Sequence, residues 1–241
     1  MRVSLFIPCL IDQFFPEVGV STARLLQKLG LEVTYPKDQT CCGQPAFNAG
    51  YHSEATKLAE RFVKIFSGAE YIVTPSGSCG SMIRVFYPTL PIREELRASV
   101  AEVKAKTYEL SEFIVNVLGM RDVGAAFKGR VTYHDSCHLL RELKVKDPPR
   151  LLIQNVKGID FVELEESESC CGFGGSFSVK FPEISTAMVQ EKVKSIQKTG
   201  AQYVVGNDTG CLMQIGGFLQ RNHLPVKTLH LAEFLYKGIA T

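Results

Sequence analysis

The chain carries the tripeptide Cys-Cys-Gly twice, at Cys41-Cys42-Gly43 and Cys170-Cys171-Gly172, and all eight cysteines keep one frame around the two copies. The first quartet is Cys9, Cys41, Cys42 and Cys79; the second is Cys137, Cys170, Cys171 and Cys211. Corresponding members lie 128 residues apart for Cys9 and Cys137, 129 for Cys41 and Cys170, and 132 for Cys79 and Cys211. Thiols scattered without a shared purpose would not hold such spacing. The frame marks a duplicated four-cysteine site. It divides the 241 residues into two repeats, 1–120 and 128–241, joined by a glycine-bearing connector, Gly119 to Gly129.

With 45% apolar residues, each repeat can bury an ordinary core, so the cysteines are not needed as staples. Their share is well short of the roughly 8–10% that marks a disulfide scaffold. A net charge of +2 argues against electrostatic capture of nucleic acid or a membrane surface. The one basic cluster, Arg141 to Arg150, includes two acids and reads as a solvated loop. The opening apolar run is too short for a signal peptide and is closed by Asp12, and Pro8 is not the small residue that precedes a lipidated cysteine. No stretch approaches about 18 uninterrupted apolar residues, so no membrane-spanning helix is expected. These features predict a cytoplasmic protein. There, grouped thiols more often serve metal or redox chemistry than disulfides.

Short strand-like runs alternate with helical stripes in both repeats. Val3 to Ile7, Leu31 to Tyr35 and Tyr71 to Thr74 read as strands in the first. Their counterparts are Val131 to Tyr133, Phe161 to Leu164 and Tyr203 to Val205. Ser21 is placed to cap a helix bearing Leu25, Leu26 and Leu29, and Leu58, Phe62, Ile65 and Phe66 form a second stripe. Thr107 to Ile114 matches Thr228 to Leu235 as a closing helix in each repeat. The fold class this predicts is α/β: two tandem repeats, each a mostly parallel sheet flanked by helices, related by a pseudo-twofold. Ligands of such sheets collect beyond the carboxyl ends of the strands. Cys9, Cys79, Cys137 and Cys211 each fall a few residues past a strand, so the sequence predicts two sites, one per repeat.

Four thiolates suit zinc or an iron–sulfur cluster. Structural zinc sites usually space their cysteines as Cys-x2–4-Cys, whereas here the paired residues are adjacent, with Cα atoms about 3.8 Å apart. Seating both sulfurs on one small ion strains the chain, while a cluster offers each thiolate its own iron. Gly43 and Gly172 would let the backbone turn tightly beside the bound group. Buried thiols, redox disulfides and zinc remain the competing readings. Gln44, Asn48, Ser76 and Ser78, and in the second repeat Ser176, Asn207, Asp208 and Thr209, could hydrogen-bond around the sites. His134 and His138 bracket Cys137 with no histidine at the matching places of the first repeat. They could relay protons, tune or ligate a metal, or simply cap the strand end by bonding Asp135 or backbone. His52, His223 and His230 sit among ordinary helix and loop residues. No nucleophilic triad is convincing, and the glycine strings match neither a phosphate loop nor the G-x-G-x-x-G fingerprint.

The repeated pattern of a Cys-Cys-Gly flanked by single cysteines, with Cys41-Cys-Gly-Gln-Pro-Ala-Phe-Asn and Cys170-Cys-Gly-Phe-Gly-Gly-Ser-Phe-Ser-Val-Lys, resembles the cysteine-rich (CCG) domain family. That family includes the B subunit of heterodisulfide reductase and the iron–sulfur subunits of glycolate oxidase and anaerobic glycerol-3-phosphate dehydrogenase. The likeness runs from Val3 to about Phe234. It implies an iron–sulfur oxidoreductase component, with the eight cysteines as metal ligands and Gly43, Gly172, His134, His138 and Asp208 around the cofactor. It also implies oxidation of L-lactate to pyruvate alongside two partners, a ferredoxin-like iron–sulfur protein and a third subunit. The full family motif ends in Cys-x-x-Cys, whereas Ser76 and Asp208 stand where the first cysteine of that pair would be. Only four thiolates remain per site, which favours one [4Fe–4S] centre per quartet over a five-cysteine double cluster. An oxygen ligand from Asp208 is the variant of that arrangement. The expected function is electron transfer. The alternatives are a catalytic subunit with an open iron acting on a 2-hydroxy acid or disulfide, and a zinc-bound structural protein.

Overall fold

The computed structural model describes residues 1–240. Two four-stranded sheets carry the fold, and every strand pairing in them is parallel. The first contains β1 (Arg2–Leu5), β2 (Glu32–Thr34), β3 (Tyr71–Thr74) and β4 (Thr107–Glu109) in the order β2-β1-β3-β4. The second contains β5 (Ala126–His134), β6 (Lys157–Phe161), β7 (Tyr203–Gly206) and β8 (Lys227–His230) in the order β6-β5-β7-β8. Helices connect successive strands and cover the sheets. The chain has the α/β architecture of two similar halves that the alternation predicts.

Several local expectations change. The closing segments at Thr107 and Thr228 are not helical from their first residue: each begins as an edge strand, and the helix starts only at Leu110 or Leu231. The second strand of the second half lies at Lys157–Phe161, earlier than the Phe161 to Leu164 reading, because Leu164 is instead buried with Cys171, Val189 and Cys211. Helix Pro16–Lys28 starts at its proline, whose missing N–H costs nothing in the first turn. Ser21 is therefore a buried mid-helix residue, not a cap. The supposed solvated loop is largely structured, since Asp147–Gln154 is a helix. Arg150 tucks under it, its side chain 11% exposed, on Asp135 and Glu163 at 2.6 and 2.8 Å.

One apolar core joins the halves. Val3, Leu5, Val73, Leu110 and Phe113 of the first pack in a single cluster with Val131, Tyr133, Val205, Leu231 and Phe234 of the second. Separate clusters, around Phe6, Phe62 and Phe66 in one half and Val189, Val193 and Ile215 in the other, lie to either side. The helix Pro16–Lys28 packs on Leu231–Ala240, and Asp147–Gln154 packs on the helical turn from Leu110. This seam brings the carboxyl ends of β1 and β3 to face those of β5 and β7.

Polar contacts across the seam repeat in pairs. Asn207, just past β7, donates from Nδ2 to Glu109 Oε1 at the end of β4 (2.8 Å). Its counterpart contact joins Pro75 O, just past β3, to His230 Nε2 at the end of β8 (3.0 Å). Glu109 and His230 also cap the helices that follow them, accepting from Ser111 N and Ala232 N. His230 is thus a buried bridging residue, not an ordinary loop histidine. The paired arrangement expresses the pseudo-twofold directly.

Asp208 is the strongest tie. It precedes helix Thr209–Arg221 in the N-cap position but makes no side-chain bond to its own helix. Its carboxylate instead crosses the seam, accepting from Ser76 Oγ (3.2 Å), Ser78 Oγ (2.7 Å) and Ser78 N (2.8 Å), and from Ser136 Oγ (2.7 Å) within its own half. Removing it would orphan four buried or half-buried donors, so Asp208→Ala is expected to destabilise the chain by about 3 kcal/mol. Urea denaturation of purified protein measures this, and a loss below about 1 kcal/mol would show that the seam holds without the carboxylate.

Glu109 generates a second expectation. Burial pushes its carboxyl up to about 7, against the lowering effect of its bonds from Ser111, Asn207 and Glu112. Between 4.5, its ordinary value, and about 7 the folded chain keeps a proton that the unfolded chain has released. Stability is therefore lost as pH rises through that window. Glu109→Gln, neutral at every pH, is expected to flatten the fall in unfolding midpoint between the two ends of the window. Parallel profiles for the two proteins would remove Glu109 as the cause.

Candidate metal centre at the seam

Both sheets reverse strand order between their first and third strands, β1/β3 and β5/β7, and a crevice opens at the carboxyl edge of such a reversal. Cys9 begins the helix after β1, and Cys79 lies in the helix after β3. Cys137 follows β5, and Cys211 is in the first turn of the helix after β7. The two Cys-Cys-Gly loops follow β2 and β6 and close over these positions. At Gly43 and Gly172 φ is +90° and +83°, and a Cβ would meet Ala55 O at 3.3 Å and Ser185 O at 2.6 Å. Glycine is required there for both reasons.

The quartets are not two remote sites. All eight cysteines line one cavity of about 150 Å³ between the halves. Gln44, Asn48, Ser76, Ser78, Ser176, Asp208 and Thr209 line it with them, as does His138. Asn207 does not; it is buried behind the cavity on Glu109, Ser111 and Tyr133. Asp208 reaches the cavity wall with both oxygens already engaged by serines. Ser76 and Asp208, the two residues standing in the place of a fifth cysteine, bond to each other.

Within the first quartet Cys9 Sγ lies 3.5 Å from Cys41 Sγ, and Cys42 Sγ lies 3.3 Å from Cys79 Sγ. Gly43 N and Gly172 N each donate to the first sulfur of their own pair, at 3.4 Å. The leading cysteine of each pair is the one whose pKa is lowered. Bonds from Cys42 and Cys9 hold Cys41 down to about 3, and bonds from Cys137 and Cys171 hold Cys170 down to about 2. The neighbouring thiols Cys9 and Cys42, and Cys137 and Cys171, are pushed up in turn by those sulfurs and by burial. In each quartet the pair-leading sulfur is the one favoured to carry negative charge. Metal binding would release the remaining protons.

The histidines divide. His138 lines the cavity with Nδ1 3.7 Å from Cys137 Sγ. His134, the last residue of β5, is buried and does not bond Asp135 or any backbone group: among the described residues neither ring nitrogen has a hydrogen-bond partner. Asp135 is committed to Arg150, whose guanidinium also lies over the Tyr133 ring at 5.1 Å. Burial, with the nearby Lys192 ammonium, pushes the His134 imidazole down to about 3. Sequence reasoning missed Lys192, which is 1% exposed and donates to Glu166 O and Ser167 O at 2.8 and 3.1 Å. Its position in the buried stripe Val189, Val193, Ile196 was the available signal.

The cysteine-rich domain model, CCG, matches residues 3–84 and 131–216. Lactate utilization protein A of Bacillus pumilus is 52% identical over 98% of this chain and 99% of its own length. The proteins of that name from Oceanobacillus iheyensis and Bacillus subtilis are each 50% identical over 98% of this chain and 96% and 99% of their own lengths. A crystal structure of a hypothetical protein from Helicobacter pylori shares the fold with a TM-score of 0.65 at 10% identity, over 100% of this chain and 49% of that one. Two matched segments, each holding one of the quartets, and half-identical relatives along nearly the whole chain lead to one conclusion: the protein belongs to the cysteine-rich (CCG) domain family.

Proposed function

We propose that this chain is the iron–sulfur electron-transfer component of a system that oxidises L-lactate to pyruvate, with one [4Fe–4S] centre on each cysteine quartet. The name borne by relatives about 50% identical supports a role in lactate utilization. The observation that carries the metal assignment is the convergence of eight thiols, four from each half, on one cavity at the strand ends. Among the described residues, the one group of three metal-binding side chains with donor atoms within 4.8 Å of one another is His134, Cys171 and Cys211. A single zinc in a tetrahedron of sulfurs needs all six edges near 3.8 Å, by the geometry of a ~2.3 Å Zn–S bond. In the first quartet two sulfur pairs lie closer than that, at 3.5 and 3.3 Å, while no three of its sulfurs lie within 4.8 Å of one another, so it is not the regular tetrahedron one zinc requires.

Such a centre, when bound, supplies single-electron transfer. The chain holds it: the thiolates ligate, Gly43 N and Gly172 N donate toward sulfur, and the loops over the strand ends limit water. The two centres would face each other across the seam, within one protein. Lactate oxidation removes two electrons, so the assignment implies partners, a ferredoxin-like iron–sulfur protein and a third subunit, in the cytoplasm. The repeats 1–120 and 128–241 are then one metal-binding unit each. Among the described residues no helix is long and apolar enough to cross a membrane.

The shared cavity favours a second reading, in which an open iron there acts on a 2-hydroxy acid or a disulfide beside His138. Metal analysis after anaerobic reconstitution tests the first claim. About eight iron and about eight acid-labile sulfide per chain are expected, falling by roughly half in Cys42→Ser; about one zinc per quartet without iron would overturn it. His138→Ala keeps all eight thiols and is expected to leave lactate-dependent electron flow through the reconstituted system within about twofold. Loss of turnover with iron retained would establish the second reading.

A further inference from the structure

The pseudo-twofold allows each residue around one quartet to be compared with its counterpart around the other. Strand pairing equates Val3 with Val131, since each faces the first tyrosine of the neighbouring strand, and therefore Phe6 with His134. The glycine contacts equate Ala55 with Ser185 and Leu58 with Met188, and therefore Phe62 with Lys192. Behind the first quartet Phe6 and Phe62 form an edge-to-face pair with centroids 4.8 Å apart, both at most 3% exposed. Behind the second, the same two places hold a histidine and a lysine, each 1% exposed.

A buried histidine in a core normally bonds through at least one ring nitrogen. His134 bonds through neither, yet a ring nitrogen and the sulfurs of Cys171 and Cys211 lie within 4.8 Å of one another. The corresponding place in the first half is filled by an apolar residue, Phe6. An imidazole there, without a partner among the described residues and with a ring nitrogen within 4.8 Å of two cysteine sulfurs, is explained by a bond to a metal group those sulfurs would hold.

We infer that His134 is a nitrogen ligand of the second centre, beside Cys171 and Cys211, and that the two centres of this chain are therefore electronically unequal. The inference rests on the metal assignment proposed above. With His134 on one iron, one thiol of the second quartet is left off the cluster, and replacing thiolate by neutral imidazole removes negative charge and raises the reduction potential. The ammonium of Lys192, within electrostatic reach of Cys171, Cys211 and Cys170, acts in the same direction. The first centre, backed by two phenylalanines, has neither device. The second is the more readily reduced.

Pulsed EPR of the full chain, reconstituted anaerobically and poised at stepwise potentials, tests this. A strong nitrogen-14 hyperfine coupling is expected on the centre that reduces first. It should vanish in His134→Phe, which copies the first half, and persist in His138→Ala, the rival nitrogen donor. Should His134→Phe fail to fold, His134→Cys is expected to keep iron, lose the coupling and lower that centre's potential. Lys192→Met is expected to keep the coupling while also lowering the potential. Two loaded centres without nitrogen coupling, or coupling that survives in His134→Phe, would overturn the ligand while leaving the metal assignment intact. A chain that takes up no iron or sulfide would overturn both, and metal analysis separates the two failures.

Discussion

One carboxylate determines how the two sheets meet. Asp208 sits at the head of a helix in one half and uses its oxygens almost wholly on the other, and the serines it engages belong to the turns that place Cys79 and Cys137. Ser76 is the hinge of this arrangement, because the same hydroxyl accepts from Cys79 N at 3.3 Å. A buried charge is tolerated when donors surround it, and four do so here. The sulfur array inherits its geometry from that tie. If the seam shifted, each quartet would survive within its own half, but the common cavity between them would not.

The seam also explains why residues absent from the cysteine pattern matter to it. Asn207 is held by Tyr133 and by Glu109, and Glu109 is at once a helix cap and a cross-seam acceptor. Arg150 neutralises Asp135 directly behind the second quartet and covers the Tyr133 ring. Among the described residues, the buried side-chain polar atoms without a hydrogen-bond partner are the Thr74, Ser81 and Thr132 hydroxyls and the His134 ring nitrogens. Among these, His134 alone can ligate a metal through nitrogen.

Much of this was legible in the sequence, and the remainder failed for identifiable reasons. The duplication frame located every thiol of the cavity, because covalent spacing is preserved when a fold is repeated. Alternating apolar runs located three strands per half. The fourth strands, at Thr107 and Lys227, are three and four residues long and lead directly into helices, so the longer 3.6-residue pattern masked them. Arg150 looked like part of a solvated run because its partners, Asp135 and Glu163, come from separate segments. The same limit applies to Asp208: its position in the motif was readable, but the serines it contacts 130 and 132 residues away were not.

The crossed contacts, Asn207 to Glu109 and Pro75 to His230, are those of an isologous interface, in which the same patch meets itself about a twofold axis. Two separate copies of one half could satisfy such an interface as a homodimer. Identical subunits, however, must place the same side chain on both sides of the axis. Joining the halves in one polypeptide lifts that restriction while keeping the interface, and the seam shows the result: Glu109 opposite His230, Ser76 opposite Asp208, Phe6 opposite His134. Fusion is what permits a symmetric scaffold to carry two different environments.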